Sequence, residues 1–204
     1  MLTNKMKNVP GNYYDKHNSK NPFVKYLMKN FHKVLLKHLV KLKPTSILDV
    51  GCGEGYTTKI MIKKFPKVKF VACDLEKSMV EIAKRTNPEI KIYERSVYEL
   101  KFKSNSFDVV VMNEVLEHVK DYNKALDECK RVAKKACVFS VPNEPYWRIA
   151  NILRLRYLKD LGNTPGHVNN FTKSQFKKVL KKHFRKVIVV NAYLWNFGIC
   201  LKKI

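Results

Sequence analysis

No C-x-x-C pair occurs among the five cysteines of this 204-residue chain, and no apolar run approaches the length of a membrane-spanning helix. Without such pairs, Cys52, Cys73, Cys129, Cys137 and Cys200, mostly within or beside apolar stretches, read as reduced, buried thiols. The first ten residues, M-L-T-N-K-M-K-N-V-P, hold no apolar stretch of the kind that opens a secretory signal, so a soluble, cytoplasmic protein is expected. Internal repeats and low-complexity tracts are missing as well. At 45% hydrophobic content the chain fits one full core and leaves no room for a second independent domain. Acidic residues are scarce: 17 Asp and Glu face 41 Lys and Arg, a formal charge of +24 that invites an RNA or anionic-membrane reading. Much of the surplus is lysine spread over helix faces, as at Lys33, Lys37 and Lys41, which reads as solvated surface. Arg148, Arg154 and Arg156 gather in one late segment and are the better RNA candidates.

What the chain does have is concentrated at Ile47–Gly55, I-L-D-V-G-C-G-E-G. A buried β-run, Ile47, Leu48 and Val50, enters a turn with glycine at 51, 53 and 55, where the backbone can take positive φ and a ligand can lie against the main chain. Tight strand-to-helix turns also use glycine for steric reasons alone, so the surroundings matter. A second apolar run, Val68–Cys73, ends in Asp74, positioned to accept the two hydroxyls of a ribose. A third, Phe107–Met112, is followed by Asn113 and Glu114. No Walker lysine follows the turn, and Asp49 would repel a pyrophosphate, so a neutral or cationic nucleoside fits better.

Helical spacing of Phe23, Leu27, Phe31, Val34, Leu35, His38 and Leu42 predicts an amphipathic helix from about 21 to 43 covering the sheet; His32 and His38 on it read as packing or surface residues. Alternating units follow: a strand near Ser46, a helix over 56–65, a strand from Val68, a helix over 78–85, a strand near 90–94, a strand at Phe107, a helix over 121–133 and a strand at Ala136. That rhythm predicts an α/β fold, a parallel sheet with helices on both faces and a ligand over the carboxyl ends of its strands. From 143 to 170 the rhythm breaks at Pro145, Gly162, Pro165 and Gly166, in a stretch carrying Tyr146, Trp147, Leu153 and Leu155; it reads as a substrate lid. A helix over 172–182 and strands near 187–190 and 194–201 complete the chain.

These features resemble the class I S-adenosylmethionine-dependent methyltransferases. L-D-V-G-C-G-E-G at 48–55 is similar to the family's first motif, D-L-E-K-S-M at 74–79 to its second, and S-F-D-V-V at 106–110 to its fourth strand; the likeness runs from about Tyr13 to Phe184. It implies a Rossmann-like, seven-stranded, mostly parallel sheet in one domain: an N-terminal helical segment to 45, a cofactor core over 46–142, the lid over 143–170 and a C-terminal helix and strands over 171–204. It implies S-adenosylmethionine held by Asp49, Gly51, Cys52, Gly53, Gly55, Asp74, Leu75, Met79, Ser96, Val97 and Asn113. The family usually has an aspartate where Ser96 stands; a hydroxyl there still bonds the adenine amino group, with weaker affinity.

Methyl transfer from a sulfonium is an in-line displacement, so alignment and removal of the acceptor's proton are the protein's tasks. In E-V-L-E-H, Glu114, Glu117 and His118 at i, i+3 and i+4 are expected on one face of a helical turn, a set that suits a divalent metal such as Mg²⁺. E-x-x-E-H with a later histidine resembles the metal site of small-RNA 3′-terminal 2′-O-methyltransferases and of ubiquinone-biosynthesis O-methyltransferases, which makes His167, in G-H-V-N-N-F-T, the fourth ligand. The alternative is metal-free: Glu117 and His118 cap a helix or line the pocket and His167 is structural. The acceptor is expected to be a small-molecule hydroxyl or diol. An RNA end or tRNA is the alternative substrate, and an inactive cofactor-binding subunit, motivated by Ser96, the alternative of another class.

Overall fold

A computed structural model describes residues 19–202. The N-terminal leader reading, the start of the resemblance at Tyr13 and the first part of the helical segment to 45 therefore lie outside the described residues. Helix α1 (Pro22–Leu42) starts where Asn21 accepts a hydrogen bond from the Phe23 amide at 2.9 Å, and it ends at Lys43 in the left-handed region, before Pro44. Its buried residues, Val24, Leu27, Met28, Phe31, Leu35 and Leu39, recur every three or four positions and form one stripe.

The strands are β1 (Ser46–Val50), β2 (Lys69–Asp74), β3 (Lys91–Glu94), β4 (Phe107–Asn113), β5 (Ala133–Pro142), β6 (Lys186–Ala192) and β7 (Trp195–Leu201). They form one sheet in the order β3-β2-β1-β4-β5-β7-β6, in which only β7 runs antiparallel to its neighbours. The expected seven-stranded, mostly parallel α/β sheet is the architecture found. Between them lie α2 (Tyr56–Lys64), α3 (Lys77–Thr86), α4 (Tyr122–Val132), α5 (Tyr146–Leu153), a short 3₁₀ turn at Leu158–Asp160, and α6 (Lys173–His183). The helix expected to reach 133 stops at Val132, and β5 begins at once, three residues ahead of Ala136. Among the described residues no helix is long and apolar enough to cross a membrane.

Both sheet faces are covered. Leu48, Val110 and Met112 pack under Leu126 and Cys129 of α4 and Phe176 and Leu180 of α6, while Ile47, Val109 and Val111 pack under Phe31, Leu35 and Leu39 of α1 and Met61 of α2. Strand order reverses between β1 and β4, so the loops after these two strands part in opposite directions and open a crevice at their carboxyl ends. The 143–170 stretch is more folded than its punctuation suggests. The Trp147 indole donates to Thr164 Oγ1 at 3.0 Å, and buried Asn151 donates to the Gly162 carbonyl at 2.9 Å, pinning the return of the segment against α5.

Candidate active site

A cavity of about 700 Å³ fills the crevice, within the range that holds a nucleoside-sized ligand together with a second molecule. One wall comes from the loops after β1, β2 and β3; the other joins the loop after β4, the 143–170 segment, Trp195 and the first turns of α1, with Val24, Leu27, Met28 and Phe31 facing the cavity. Helix α1 thus lines the site as well as covering the sheet.

The three turn glycines all have positive φ, +70°, +54° and +80°, but they serve different ends. A Cβ on Gly51 would strike Val115, and one on Gly55 would strike the Asn87 amide and crowd Ala83. At Gly53 a Cβ would meet nothing within 4 Å, so that space lies open on the cavity side, where a ligand can approach the backbone. Asp74 accepts from the Gly53 amide at 2.8 Å through one oxygen and from the Glu76 amide at 3.0 Å through the other. It is thereby fixed beside the turn it was expected to complement.

Asp49 is buried and accepts from the Thr58 hydroxyl at 2.6 Å. Burial, with the neighbouring Asp74 carboxylate adding to it and the Thr58 bond opposing it, raises its pKa to about 7. Burial likewise pushes the Cys52 thiol far up and the Cys73 thiol to about 12, so both are unreactive. Leu75, exposed, and Met79, buried on α3, line the same wall as Ser96 and Val97. The Ser96 hydroxyl accepts from the Tyr98 amide at 3.2 Å. At the back, Asn113 accepts from Ser140 at 3.1 Å, and its side-chain NH₂ donates to no acceptor among the described residues. Sequence reading missed Arg95, whose guanidinium lies 4.8 Å from the Tyr93 ring centre and 4.4 Å from that of Phe102 at the cavity edge.

On the opposite wall one expectation is corrected. Residues 114–118 are not a helical turn with three side chains on one face: Glu114 has φ +53° and its Oε1 accepts from the Trp195 indole at 2.9 Å. Glu114 lines the same cavity but is bonded to Trp195, and the residues that gather are Glu117, His118 and His167, whose candidate ligand atoms all lie within 4.8 Å of one another. His167 is brought there by backbone stitching. The amides of Val168 and Asn169 donate to the Glu117 carbonyl at 2.9 and 3.1 Å, and the Asn169 side chain spans the carbonyls of Leu116 and Val119 at 3.0 and 2.7 Å.

His118 Nδ1 lies 3.0 Å from the Gly166 carbonyl. A carbonyl only accepts, so Nδ1 carries the proton and Nε2 of the neutral ring holds the lone pair. The His118 and His167 rings meet edge to face at 4.8 Å, and Trp147 stacks near His167 at 6.5 Å. Asn169, Trp147 and Trp195 were not singled out as site residues. Asn169 carried a signal through its place in G-H-V-N-N-F-T and Trp147 through its place in the expected lid stretch; Trp195 is 81 positions from the Glu114 it binds. Of the late arginines, Arg148 donates to the Leu161 carbonyl and Arg154 to the Ala150 carbonyl and the Asn151 side chain, so both also fasten the 143–170 segment.

Residues 48–141 match a family model described as a methyltransferase domain. An S-adenosylmethionine-dependent methyltransferase from Aquifex aeolicus superposes with a TM-score of 0.65 at 20% identity, over 83% of this chain and 88% of that one. Residues 48–141 form a methyltransferase domain, and the fold is that of S-adenosylmethionine-dependent methyltransferases. Among curated relatives of this domain, a malonyl-[acyl-carrier protein] O-methyltransferase of Halalkalibacterium halodurans is 32% identical over 38% of this chain and 31% of its own length. A demethylmenaquinone methyltransferase of Staphylococcus aureus is 35% identical over 50% of this chain and 46% of its own. The chain thus spans about a third to a half of the length of these curated relatives.

Proposed function

We propose that this methyltransferase domain moves the methyl group of S-adenosylmethionine to an oxygen of a small acceptor with neighbouring oxygens, held beside Glu117, His118 and His167. The observation that carries the reading is that this cluster and the open space above Gly53 line opposite walls of one cavity. In this assignment Asp74 turns its carboxylate to the ribose hydroxyls, Leu75 and Val97 flank the adenine, Ser96 faces its edge, and Met79 and Cys52 close the floor. Asn113 offers its unsatisfied NH₂ to the amino-acid portion of the cofactor, and Asp49, reached by the cation, loses its proton. The cofactor supplies a methyl group already activated on sulfur.

The cluster would suit a divalent cation that accepts nitrogen ligands, such as Zn²⁺ or Fe²⁺, better than the oxygen-preferring Mg²⁺. Its donors are one carboxylate and two imidazoles, and an Nδ1–H bonded to a carbonyl, as in His118, is the usual way a ligating histidine is oriented. Bonds of about 2.1 Å place ligands of one ion at most ~4.2 Å apart, so small side-chain movements from the present spread suffice. A bound cation would lower the pKa of an acceptor hydroxyl. Glu117 would hold the charge, His118 would present Nε2, and His167, backed by Trp147, would close the site from the lid. Phe31, Trp147 and Trp195 give this end aromatic walls suited to a flat or apolar acceptor body.

The charge surplus favours an RNA end as the second reading, but the local bonds of Arg148 and Arg154 make the small acceptor the preferred one. Incubation with labelled S-adenosylmethionine and a panel of aromatic vicinal diols and their mono-ethers tests it. Label transfer to diols in preference to mono-ethers is expected. Transfer to RNA alone, or tight cofactor binding with no turnover on any acceptor pool, would replace this reading with the RNA enzyme or the inactive subunit.

A further inference from the structure

The end of the cavity that holds Glu117, His118 and His167 is also its basic end. Arg154, Arg156 and Lys120 line the cavity, and hydrogen bonds tie their segments to that end. Lys120 follows Val119, whose carbonyl accepts from the Asn169 side chain at 2.7 Å, part of the stitching that brings His167 to Glu117. The two arginines hang on Asn151, which is 2% exposed. Its carbonyl accepts from the Arg154 and Arg156 amides at 3.1 and 2.9 Å, and its Oδ1 accepts from Arg154 Nη2 at 2.7 Å. Its NH₂ reaches Thr164 Oγ1 at 3.3 Å, the atom that also receives the indole of Trp147, the ring stacked near His167.

Backbone geometry supports a role for this turn. Leu155 and Tyr157, on either side of Arg156, have φ +55° and +53°, a region unfavourable for both residue types, and strain of this kind gathers where a ligand is held. The turn leaves Leu155 80% exposed and sets the arginines before and after it along the cavity. Charge then states what the acceptor must bring. Arg154, Arg156 and Lys120 are cations, and S-adenosylmethionine adds a sulfonium. The acids lining the same end are Glu114, which accepts from the Trp195 indole, and Glu117 of the histidine cluster. An acceptor with an ammonium group would be repelled there. One with an anionic group away from its reacting oxygens would be drawn in and held in register, because a guanidinium's planar fork matches carboxylate and phosphate oxygens.

We propose that the small acceptor carries an anionic group, a carboxylate or a phosphate ester, away from its reacting oxygens, and that Arg156, with Arg154 held on the same asparagine, is the specificity residue that receives it. This rests on the methyl-transfer reading above and adds the charge of the substrate to it. Arg156 sets the acceptor's oxygens beside Glu117, His118 and His167 and takes no part in moving the methyl group or the proton.

A catechol bearing an acetate side chain, its amide, its amine counterpart and its methylphosphonate counterpart differ in charge and little in shape. Calorimetry on the full chain loaded with S-adenosylhomocysteine should show the acetate or the phosphonate binding at least about tenfold more tightly than the amide, and the amine weakest. Which of the two anions binds better distinguishes a carboxylate acceptor from a phosphate ester. Arg156→Gln should bring the anion-to-amide ratio close to one, Arg156→Lys should restore part of it, and Arg156→Glu should invert it in favour of the amine. A gain of amine binding cannot come from misfolding, so the reversal guards the test. In turnover, Arg156→Gln should raise the KM of the preferred anionic catechol at least about tenfold with kcat little changed. Absent or equal binding of the anions, amide and amine by the parent, or an anion preference that survives both Arg156→Gln and Arg156→Glu, overturns the proposal. Anion-selective binding lost in Arg156→Gln, with no methyl transfer to any of these catechols, would uphold the anion site and overturn the diol reading. Transfer to the amide as readily as to the anions would overturn the anion site and leave the diol reading standing.

Discussion

The wall running from Asp49 through the glycine turn to Asp74 and Ser96 is built from adjacent parallel strands and the loops that leave them, and its bonds join residues about twenty positions apart, as from the Gly53 amide to Asp74. The opposite wall joins the Glu114–His118 turn, the 143–170 segment and Trp195, with bonds reaching across 48 to 81 positions, as from His118 to Gly166 and from Trp195 to Glu114. The first wall follows from strand pairing, and its geometry is set once the sheet forms. The second depends on loops held by individual hydrogen bonds. It is the half where specificity can change without disturbing the fold.

The largest expected effect lies within the glycine turn and separates fold from ligand. Gly55→Val forces a side chain into Asn87 and Ala83 at positive φ, and a thermal melt should show it largely unfolded or lowered in Tm by more than 10 °C, on the order of 3 kcal/mol or more. Gly53→Ala should fold with a modest loss, about 1 kcal/mol from its positive φ, yet bind S-adenosylmethionine at least ~100-fold more weakly. Normal binding by Gly53→Ala would remove the turn from the cofactor site. Next, Asp74→Ala should weaken cofactor binding by roughly 1–3 kcal/mol in calorimetry, through lost ribose contacts and a loosened Gly53 amide.

Asn169→Ala tests the second wall. Two carbonyls lose their donor, so stability should fall by about 1–3 kcal/mol. Turnover should fall further, while cofactor affinity stays within about twofold, a factor worth ~0.4 kcal/mol. Equal losses in cofactor affinity and turnover would show the two walls to be one unit.

The smallest effect is that of pH on Asp49. Its folded pKa, about 7, lies above the ordinary 3.8, so the folded protein binds an extra proton between these values and this group's contribution to stability falls as pH rises through that window. The cationic cofactor favours the carboxylate, so affinity should strengthen as pH rises through 7 and level off above it. A flat affinity profile from pH 6 to 8 in Asp49-containing protein, identical to that of Asp49→Asn, would contradict the assignment.

The same locality explains what the sequence disclosed. The mostly parallel α/β sheet, and the meeting of the glycine turn with Asp74, were legible because each is written in contiguous runs whose backbone requirements are strict. The pairing of His167 with Glu117 and His118 was reached through a resemblance, since no local pattern ties residues about fifty apart. The shared helical face expected for Glu114, Glu117 and His118 did not form, because the positive φ of Glu114 breaks the turn. Trp195 and the contribution of α1 to the cavity were missed because an apolar residue facing a ligand has the same pattern as one facing a core.

The separation of the two walls is tested most directly by measuring methyl transfer and cofactor binding side by side in excess chelator and after a divalent cation is restored. Chelation should cut transfer to a diol acceptor by at least roughly 100-fold, with cofactor affinity unchanged, and His167→Ala should raise the cation concentration that restores it. Full transfer in excess chelator would contradict the metal site at Glu117, His118 and His167.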